Sequence, residues 1–318
     1  MATRCPGSLV VLTVSLALAG SALAAPASSR AQDGASVPPA PGGNFQAENE
    51  AWRKERTASL MEDDSWLTLV GLYWLEPGEN RFGADSKNRV VFPKGKLPEF
   101  AGVLVRDGDK VRIEAQAGAG ITSAGKPVTA MELKSDAEEG TTVLEAGSVS
   151  FFVIRRGDRV GVRIKDKESE TRKGFKGLDF YPASPAWRVT ARFEPYDPPR
   201  KVKIPNVLGQ VNEIPSPGAV VFERQGKSYR LDTLGSLDGP ELSLIFGDKT
   251  NGHETYGAGR FLDFPAPKDG KAVVDFNRAY NPPCAFTAFA TCPLPPAQNK
   301  LQLAVEAGEK KFAGGPHH

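Results

Sequence analysis

The chain has 318 residues, and its 40 lysines and arginines nearly balance its 38 aspartates and glutamates, so the formal net charge is +2. This balance argues against a protein that coats nucleic acid, which would carry a basic excess or stripe. The 40% hydrophobic and 25% charged residues are typical of a globular protein. The 33 glycines and 26 prolines favour many turns over long helices. No stretch after residue 24 is apolar enough to span a bilayer.

Residues 1–24 predict a signal peptide. Arg4 supplies a positive charge, residues 9–20 are apolar, and an A-x-A motif ends at Ala24. Cleavage after Ala24 would release a periplasmic or extracellular protein. Residues 25–43 are rich in proline, alanine, serine and glycine without periodicity, which predicts a disordered linker.

Residues 44–61 have a helical pattern. Phe45, Trp52 and Leu60 fall near one face, so we expect one N-terminal helix that packs its tryptophan against the chain that follows.

From Trp66 onward, short apolar runs alternate with tight turns. Residues 103–105 and 111–113 flank a charged turn that contains glycine, and residues 151–154 and 160–164 repeat this arrangement. Regular short strands with such turns are typical of sandwiches and barrels. We therefore predict a mainly β fold with two sandwich- or barrel-like lobes, preceded by the single helix.

A polar connector rich in glycine and proline, residues 166–185, suggests where the two lobes meet. The first lobe would comprise residues 44–165, including the helix, and the second residues 186–312. Residues 301–305 (LQLAV) are mainly apolar, and we predict that they form the closing strand of the second lobe.

Chemically versatile side chains are concentrated between residues 248 and 309. His253 is the one histidine outside the C-terminal tail. It could act as a general base oriented by Glu254 or Asp275, with or without a divalent metal, which would suit a hydrolase. A histidine in a turn can equally serve as a structural hydrogen-bonding group.

The same stretch contains candidate ligand contacts, namely Tyr256, Arg260, Asn277 and Asn281. Arg260 follows the small residues 257–259, which would let an anion approach it closely. The alternative for Arg260 is a buried ion pair with Glu254 or Asp275. More generally, these polar groups could form a network that fastens an irregular loop onto the β structure.

Cys284 and Cys292 are separated by seven residues. In an exported protein, two neighbouring cysteines predict a disulfide. The alternative makes Cys284 a nucleophile activated by His253. The spacing is unlike the close ligand pairs of zinc sites, so we assign no metal site, and no cofactor is identified.

The motifs GHETYGAGRFLDFP, DFNRAYNPPCAF, CPLPP and AGEK lie between residues 252 and 310, and FKGLDFYPASPAWRVTARFEPY lies upstream of them. Together with WLTLVGLYWLEPGENRFGADSKN, they resemble an uncharacterised bacterial family, domain-of-unknown-function family 1684, over residues 52–311. The resemblance implies membership of that family without implying an activity.

Residues 75–128 also resemble the forkhead-associated β-sandwich, a fold that binds phosphothreonine. In that fold an arginine follows the glycine of an early strand, whereas here Ala84 follows Gly83, and this half lacks the histidine of the phosphate-binding turn. The resemblance therefore implies the sandwich topology alone.

Three functions stay open. The first is an exported protein that binds a small polar or anionic ligand through residues 248–281. The second is a hydrolase that uses His253 with a carboxylate, and the third is a structural protein of the cell envelope. The sequence therefore leaves undecided whether the protein is an enzyme.

Overall fold

The computed structural model describes residues 44–315, so the predicted signal peptide and linker lie outside the described residues. Helix α1 spans Phe45–Ser59, which confirms the single N-terminal helix. Phe45 is buried in it, and Trp52 meets Phe180 edge-on with ring centroids 6.1 Å apart. Leu60, just after the helix, is also buried.

Two sheets follow α1 and a short 3-10 turn at Trp66–Thr68. A six-stranded sheet has the order β1-β11-β10-β9-β6-β7, and a five-stranded sheet has the order β3-β2-β4-β5-β8. The strands are β1 Leu69–Trp74, β2 Gly78–Gly83, β3 Val90–Val91, β4 Gly102–Asp107, β5 Lys110–Ala115, β6 Thr122–Ser123, β7 Lys126–Pro127, β8 Ala130–Leu133, β9 Leu144–Ala146, β10 Val149–Arg156 and β11 Arg159–Asp166.

The two sheets share one apolar core. Phe82 of the five-stranded sheet and Phe151 of the six-stranded sheet lie 6.1 Å apart between ring centroids, and Phe92 meets Phe151 edge-on at 5.0 Å. All three rings are at most 2% exposed. Burial of this much aromatic surface is the main force holding such a sandwich together.

Both predicted hairpins are present. Strand β4 pairs with β5 as far as Asp107 opposite Lys110, and β10 pairs with β11 as far as Arg156 opposite Arg159. Each turn begins with a glycine at positive φ, +60° for Gly108 and +61° for the glycine between β10 and β11. Glycine adopts this conformation without steric cost, which is why these turns were recognisable in the sequence.

The rest of the chain forms two further sheets, a four-stranded sheet ordered β14-β13-β12-β17 and the pair β15-β16. A one-turn helix, α2, precedes them, and 3-10 turns lie at 185–187, 276–278, 283–285 and 297–299. The elements are α2 Glu170–Lys173, β12 Arg188–Pro205, β13 Val211–Arg224, β14 Lys227–Asp232, β15 Glu241–Phe246, β16 Arg260–Pro265 and β17 Lys271–Asp275.

Phe276 lies at the centre of the second core. Its ring meets those of Trp187, Phe222 and Phe246 at centroid distances of 6.0, 5.4 and 5.6 Å, and it is fully buried. The core therefore joins the four-stranded sheet to the β15-β16 pair, again as packed sheets.

The prediction of a closing strand at residues 301–305 is wrong. Leu301, Leu303 and Val305 are buried, but the segment is irregular. Leu301 and Leu303 each make one backbone hydrogen bond to the chain just after β15, and the Val305 N–H donates to the carboxylate of Asp248 at 3.2 Å. The apolar residues indicated burial, which an irregular segment provides as well as a strand does.

The mainly β fold with packed sheets is confirmed, and residues 44–315 contain no closed barrel. Helix α1 contacts late parts of the chain, through Arg56 to Glu309 at 2.7 Å and Glu48 to Arg188 at 3.0 Å. The lobe boundaries at residues 165 and 186 stay a prediction. Within residues 44–315, no helix combines the length and the apolar character needed to cross a membrane.

Candidate functional site

His253 and Glu254 lie on an exposed turn, and hydrogen bonds to Asp248 fix the start of this turn. Asp248 accepts hydrogen bonds from the N–H and the hydroxyl of Thr250, at 2.8 and 2.6 Å. The His253 side chain makes no hydrogen bond to any residue between 44 and 315, whereas Glu254 accepts one from the Tyr181 hydroxyl. Burial and this hydrogen bond raise the pKa of Tyr181. In this structure His253 therefore has neither of its predicted carboxylate partners.

Asp275 is engaged elsewhere. Its carboxylate pairs with the Arg188 Nε at 2.7 Å and accepts from the side-chain amide of Asn277 at 2.7 Å. Asn277 also bonds to both backbone groups of Ser184, at 2.9 Å each. These two predicted site residues thus fasten the 3-10 turn after β17 to the start of β12.

Asn281 is fully buried and belongs to another such connection. Its backbone N–H donates to Glu309 at 2.8 Å and its side-chain amide donates to the carbonyl of Lys310 at 2.8 Å. Glu309 in turn holds Arg56 of α1. Burial raises the pKa of the Glu309 carboxyl, against the opposing effect of Arg56.

Arg260 is completely buried. It pairs with Asp248 at 2.9 Å and donates to the carbonyls of Val305, Ala307 and Glu309. The alternative of a buried ion pair therefore describes Arg260 in this structure, with Asp248 in place of the expected partners Glu254 or Asp275. A guanidinium so enclosed cannot reach a ligand from solvent.

Tyr256 has different surroundings from the other predicted residues. It packs against Cys284, Ala290 and Cys292, which together with Trp66 and Tyr256 we call the cysteine cluster. Burial, reinforced by the two cysteines, raises the pKa of Tyr256 to about 12. Its hydroxyl has no hydrogen-bond partner among the described residues, so it is free to bond to a molecule beside it.

Beside Tyr256 is a cavity of about 950 Å³, which we call the central cavity. This volume is at the upper end of the range usual for small-molecule sites. Most of the residues that line it are apolar or aromatic, and the one charged residue among them is Lys311. The lining residues used below are Trp74, Tyr256, Cys284, Phe289, Lys311 and Phe312.

Five separate parts of the chain line this cavity, within residues 72–74, 207–208, 252–258, 284–290 and 311–315. Trp74 ends β1 of the six-stranded sheet, Tyr256 follows the exposed turn, and Cys284 belongs to the 3-10 turn at 283–285. The Lys311 backbone N–H donates to the carbonyl of Glu254 at 2.8 Å, which holds the chain end beside the turn. The cavity wall includes Gly252 but not His253.

The cysteines are free thiols in this structure, and both are buried. The backbone N–H of Cys284 donates to the sulfur of Cys292 at 3.1 Å. Cys284 lines the central cavity, whereas Cys292 packs in the cysteine cluster without lining the cavity. The predicted disulfide stays a prediction, and the contact between the two residues favours it.

Arg163 lies close to the cysteine cluster. It is 5% exposed, its guanidinium is 5.5 Å from the ring centroid of Trp66, and its Nε is buried without a partner. No carboxylate between residues 44 and 315 forms an ion pair with it. Its charge helps to lower the pKa of Cys284, although the hydrogen bond from Cys292 is the larger cause.

A second hollow of about 650 Å³ adjoins the central cavity across residues 287–289. Most of its charged side chains pair with one another: Lys96 lies 2.5 Å from Glu168 and 3.4 Å from Asp166, and Lys173 lies 3.4 Å from Glu170. Lys94 is the one charged residue of its lining without an ion pair among the described residues. Because most of its charges are compensated, this hollow is the weaker candidate site. The described part of the chain also contains no group of three or more His, Cys, Asp or Glu side chains arranged to hold a metal.

Sequence reasoning missed Arg163, Trp74, Phe289 and Lys311. For Arg163 a signal existed, since an arginine within the apolar strand 160–164 requires an unusual environment. For the aromatic residues no signal existed, because a tryptophan at a strand end looks the same whether it faces a core or a cavity.

Comparison with known proteins finds a family model that matches part of the chain. Residues 173–310 match the family described as protein of unknown function (DUF1684). The matched region includes Tyr256, Cys284 and Cys292. The match does not extend to residues 52–172, and nothing in it restricts the family to bacteria. The expected extent of the resemblance, residues 52–311, and its expected bacterial origin were therefore both overstated.

Among solved structures, an uncharacterized protein of Haloarcula marismortui is 30% identical over 44% of this chain and 80% of its own, with a TM-score of 0.38. The FhaA FHA domain, crystallised with the intracellular domain of another protein, is 15% identical over 30% of this chain and 97% of its own. Its TM-score is 0.21. None of the curated proteins matches this chain.

Proposed function

We propose that the protein binds a small molecule with an apolar, aromatic body and one anionic group in the central cavity. The observation that carries this proposal is the composition of the cavity wall, which consists mainly of aromatic and aliphatic residues and includes a single cationic residue, Lys311. The ligand class agrees with the anionic ligand expected from the sequence, but the contacts differ. Of the four ligand contacts expected from the sequence, Tyr256 alone lines the cavity. Other residues of the cavity wall take the place of Arg260, Asn277 and Asn281 as proposed contacts.

The residues that line the cavity would contribute to binding in different ways. Stacking on Trp74, Phe289 and Phe312 would supply most of the affinity, because apolar surface leaves water and aromatic pairs add to that gain. Lys311 would select the anion, and the unpartnered Tyr256 hydroxyl would donate a hydrogen bond to it.

The probe for this proposal is a matched pair of fluorescent molecules. Anilinonaphthalene sulfonate has an aromatic body and one anionic group, and phenylnaphthylamine is the uncharged counterpart. Lys311→Ala should weaken sulfonate binding by roughly two- to fivefold, the worth of one exposed charge pair. It should leave phenylnaphthylamine binding unchanged.

The control is Lys249→Ala, which removes an exposed lysine that does not line the cavity. Equal weakening of both probes by Lys311→Ala, or an equal effect of Lys249→Ala on the sulfonate, would show that Lys311 does not select an anion. Absence of saturable binding of either probe to the native protein would remove the ligand-binding proposal.

The proposal includes export to the periplasm or beyond, supported by the A-x-A motif at Ala24. Expression of the full chain in a bacterium and intact-mass measurement of the product provide the test. The mass should correspond to a chain that starts at Ala25, and an uncleaved product in the cytoplasm would contradict export.

A further inference from the structure

We infer that Cys284 and Cys292 form a redox-active dithiol that reacts with small disulfides entering the central cavity. This inference concerns an activity and requires the cavity only as a route of access. It does not depend on the anionic ligand proposed above.

The two thiols occupy unequal positions. Each residue is 5% exposed, but only Cys284 of the pair lines the cavity wall. A molecule in the cavity therefore contacts Cys284 and not Cys292. The Cys292 sulfur is close by, since it accepts a hydrogen bond from the Cys284 backbone N–H at 3.1 Å.

The charge environment divides the roles in the same way. Arg163 is a buried cation without a carboxylate partner among the described residues, and such a charge is costly unless an anion compensates it. A Cys284 thiolate would be that anion. The hydrogen bond from Cys292, with a contribution from Arg163, lowers the pKa of Cys284. The hydrogen bond to Cys284 and burial raise the pKa of Cys292.

One thiolate at the cavity and one protonated thiol behind it are the parts required for thiol–disulfide exchange. The Cys284 thiolate attacks one sulfur of a disulfide RSSR, forming a mixed disulfide and releasing RS⁻. Cys292 then loses its proton and attacks the Cys284 sulfur. This second attack forms the Cys284–Cys292 disulfide and releases the second RS⁻. The dithiol is oxidised by two electrons and RSSR is reduced to two thiols.

The experiment uses the full chain with its third cysteine removed by Cys5→Ser, reduced and freed of reductant. The probe is the aromatic disulfide dithiobis(nitrobenzoate). This protein should release two equivalents of thionitrobenzoate and lose two hydrogens in intact mass, with no adduct retained, and the variants below are made in the same background. Cys292→Ser should release one equivalent and keep a thionitrobenzoate adduct. Cys284→Ser should react at least tenfold more slowly.

A separate measurement tests the role of Arg163. Arg163→Met keeps the volume and removes the charge, and circular dichroism checks that the variant is folded. Alkylation of Cys284 by iodoacetamide should slow by about tenfold near neutral pH, which is the effect of raising a thiol pKa by about one unit. Its pH profile should move to higher pH.

Three results would overturn the inference. The first is reaction of Cys292 before Cys284 in mass-mapped alkylation of the native wild-type chain. The second is reaction only at the rate of global unfolding. The third is a Cys284–Cys292 bond that dithiothreitol cannot reduce without denaturant, which would make the pair a permanent structural disulfide. An unchanged pH profile for folded Arg163→Met would overturn the assignment of Arg163 as the compensating charge.

Discussion

The guanidinium of Arg260 lies 2.9 Å from the carboxylate of Asp248, and both side chains are fully buried. Asp248 lies just after the end of β15 at Phe246, and Arg260 is the first residue of β16. The pair therefore closes the base of the exposed turn that carries His253. Arg260 also donates to three carbonyls of the irregular segment 305–309, so one side chain joins the turn, the β15-β16 pair and the end of the chain.

We expect Arg260→Ala to lower the free energy of unfolding by about 3–5 kcal/mol. Removing one member of a buried ion pair leaves the other charge, Asp248, without compensation. Chemical denaturation measures the change. Arg112→Ala is the control, because the Arg112–Glu114 pair is 56% and 47% exposed and should contribute less than about 1 kcal/mol. Similar losses in the two variants would mean that the buried pair has no special role.

His253→Ala should change the free energy of unfolding by less than about 0.5 kcal/mol, because the exposed imidazole has no hydrogen-bond partner among the described residues. Asn251→Ala, in the same turn, should cost about 1–3 kcal/mol. The Asn251 side chain accepts from the Asp248 N–H at 2.6 Å and donates to the Thr255 hydroxyl at 3.0 Å.

Thermal melts of these two variants need no substrate. A large loss of stability in His253→Ala would show that the histidine has a structural role, which would contradict its lack of hydrogen-bond partners among the described residues. If His253→Ala leaves the melting temperature unchanged, the hydrolase alternative can be tested by activity alone. A loss of activity could then not be attributed to unfolding.

Asp166 should make stability depend on pH. Burial opposes its ionisation, but hydrogen bonds from the Glu168 N–H at 2.9 Å and the Ser148 hydroxyl at 2.7 Å, together with Lys96, lower the pKa of its carboxyl. A group whose pKa is lower in the folded state stabilises above its unfolded pKa, about 3.9. That contribution disappears as the pH falls through the folded pKa.

Asp166→Asn should therefore be less stable than the wild type at pH values near 7, by about 1.5–3 kcal/mol for lost bonds to a charged group. The difference should narrow as the pH falls below about 4. Denaturation at a series of pH values gives both quantities. Asp109→Asn, whose carboxylate is 60% exposed, serves as the control and should show little change. A difference that is constant with pH would contradict the role of the Asp166 charge.

Local sequence patterns predicted the helix and the hairpins well. The α1 helix and the β10–β11 hairpin depend on periodicity and on a glycine turn, which act between neighbours in the chain. The strand predicted at residues 301–305 is absent because the apolar residues there indicated only burial. The backbone hydrogen bonds of this segment depend on distant partners such as Asp248.

The candidate site was less predictable than the fold. Residue types correctly indicated that residues 248–309 concentrate polar groups and two cysteines, but they could not separate side chains that face solvent from those that face each other. Asp275 could pair with His253 or with Arg188 by any sequence criterion, and only the position of β12 beside β17 selects Arg188.

The sequence by itself determined the β-rich texture, the single helix and the proximity of the two cysteines, because these follow from short-range periodicity, turn chemistry and spacing. Only the tertiary structure decided which cysteine faces a cavity, that Arg163 lies near the pair and that Arg260 is enclosed. The physical reason is that burial and charge compensation depend on segments far apart in the chain. Arg163 and Cys284, on different elements and separated by more than a hundred positions, become neighbours only when the sheets pack.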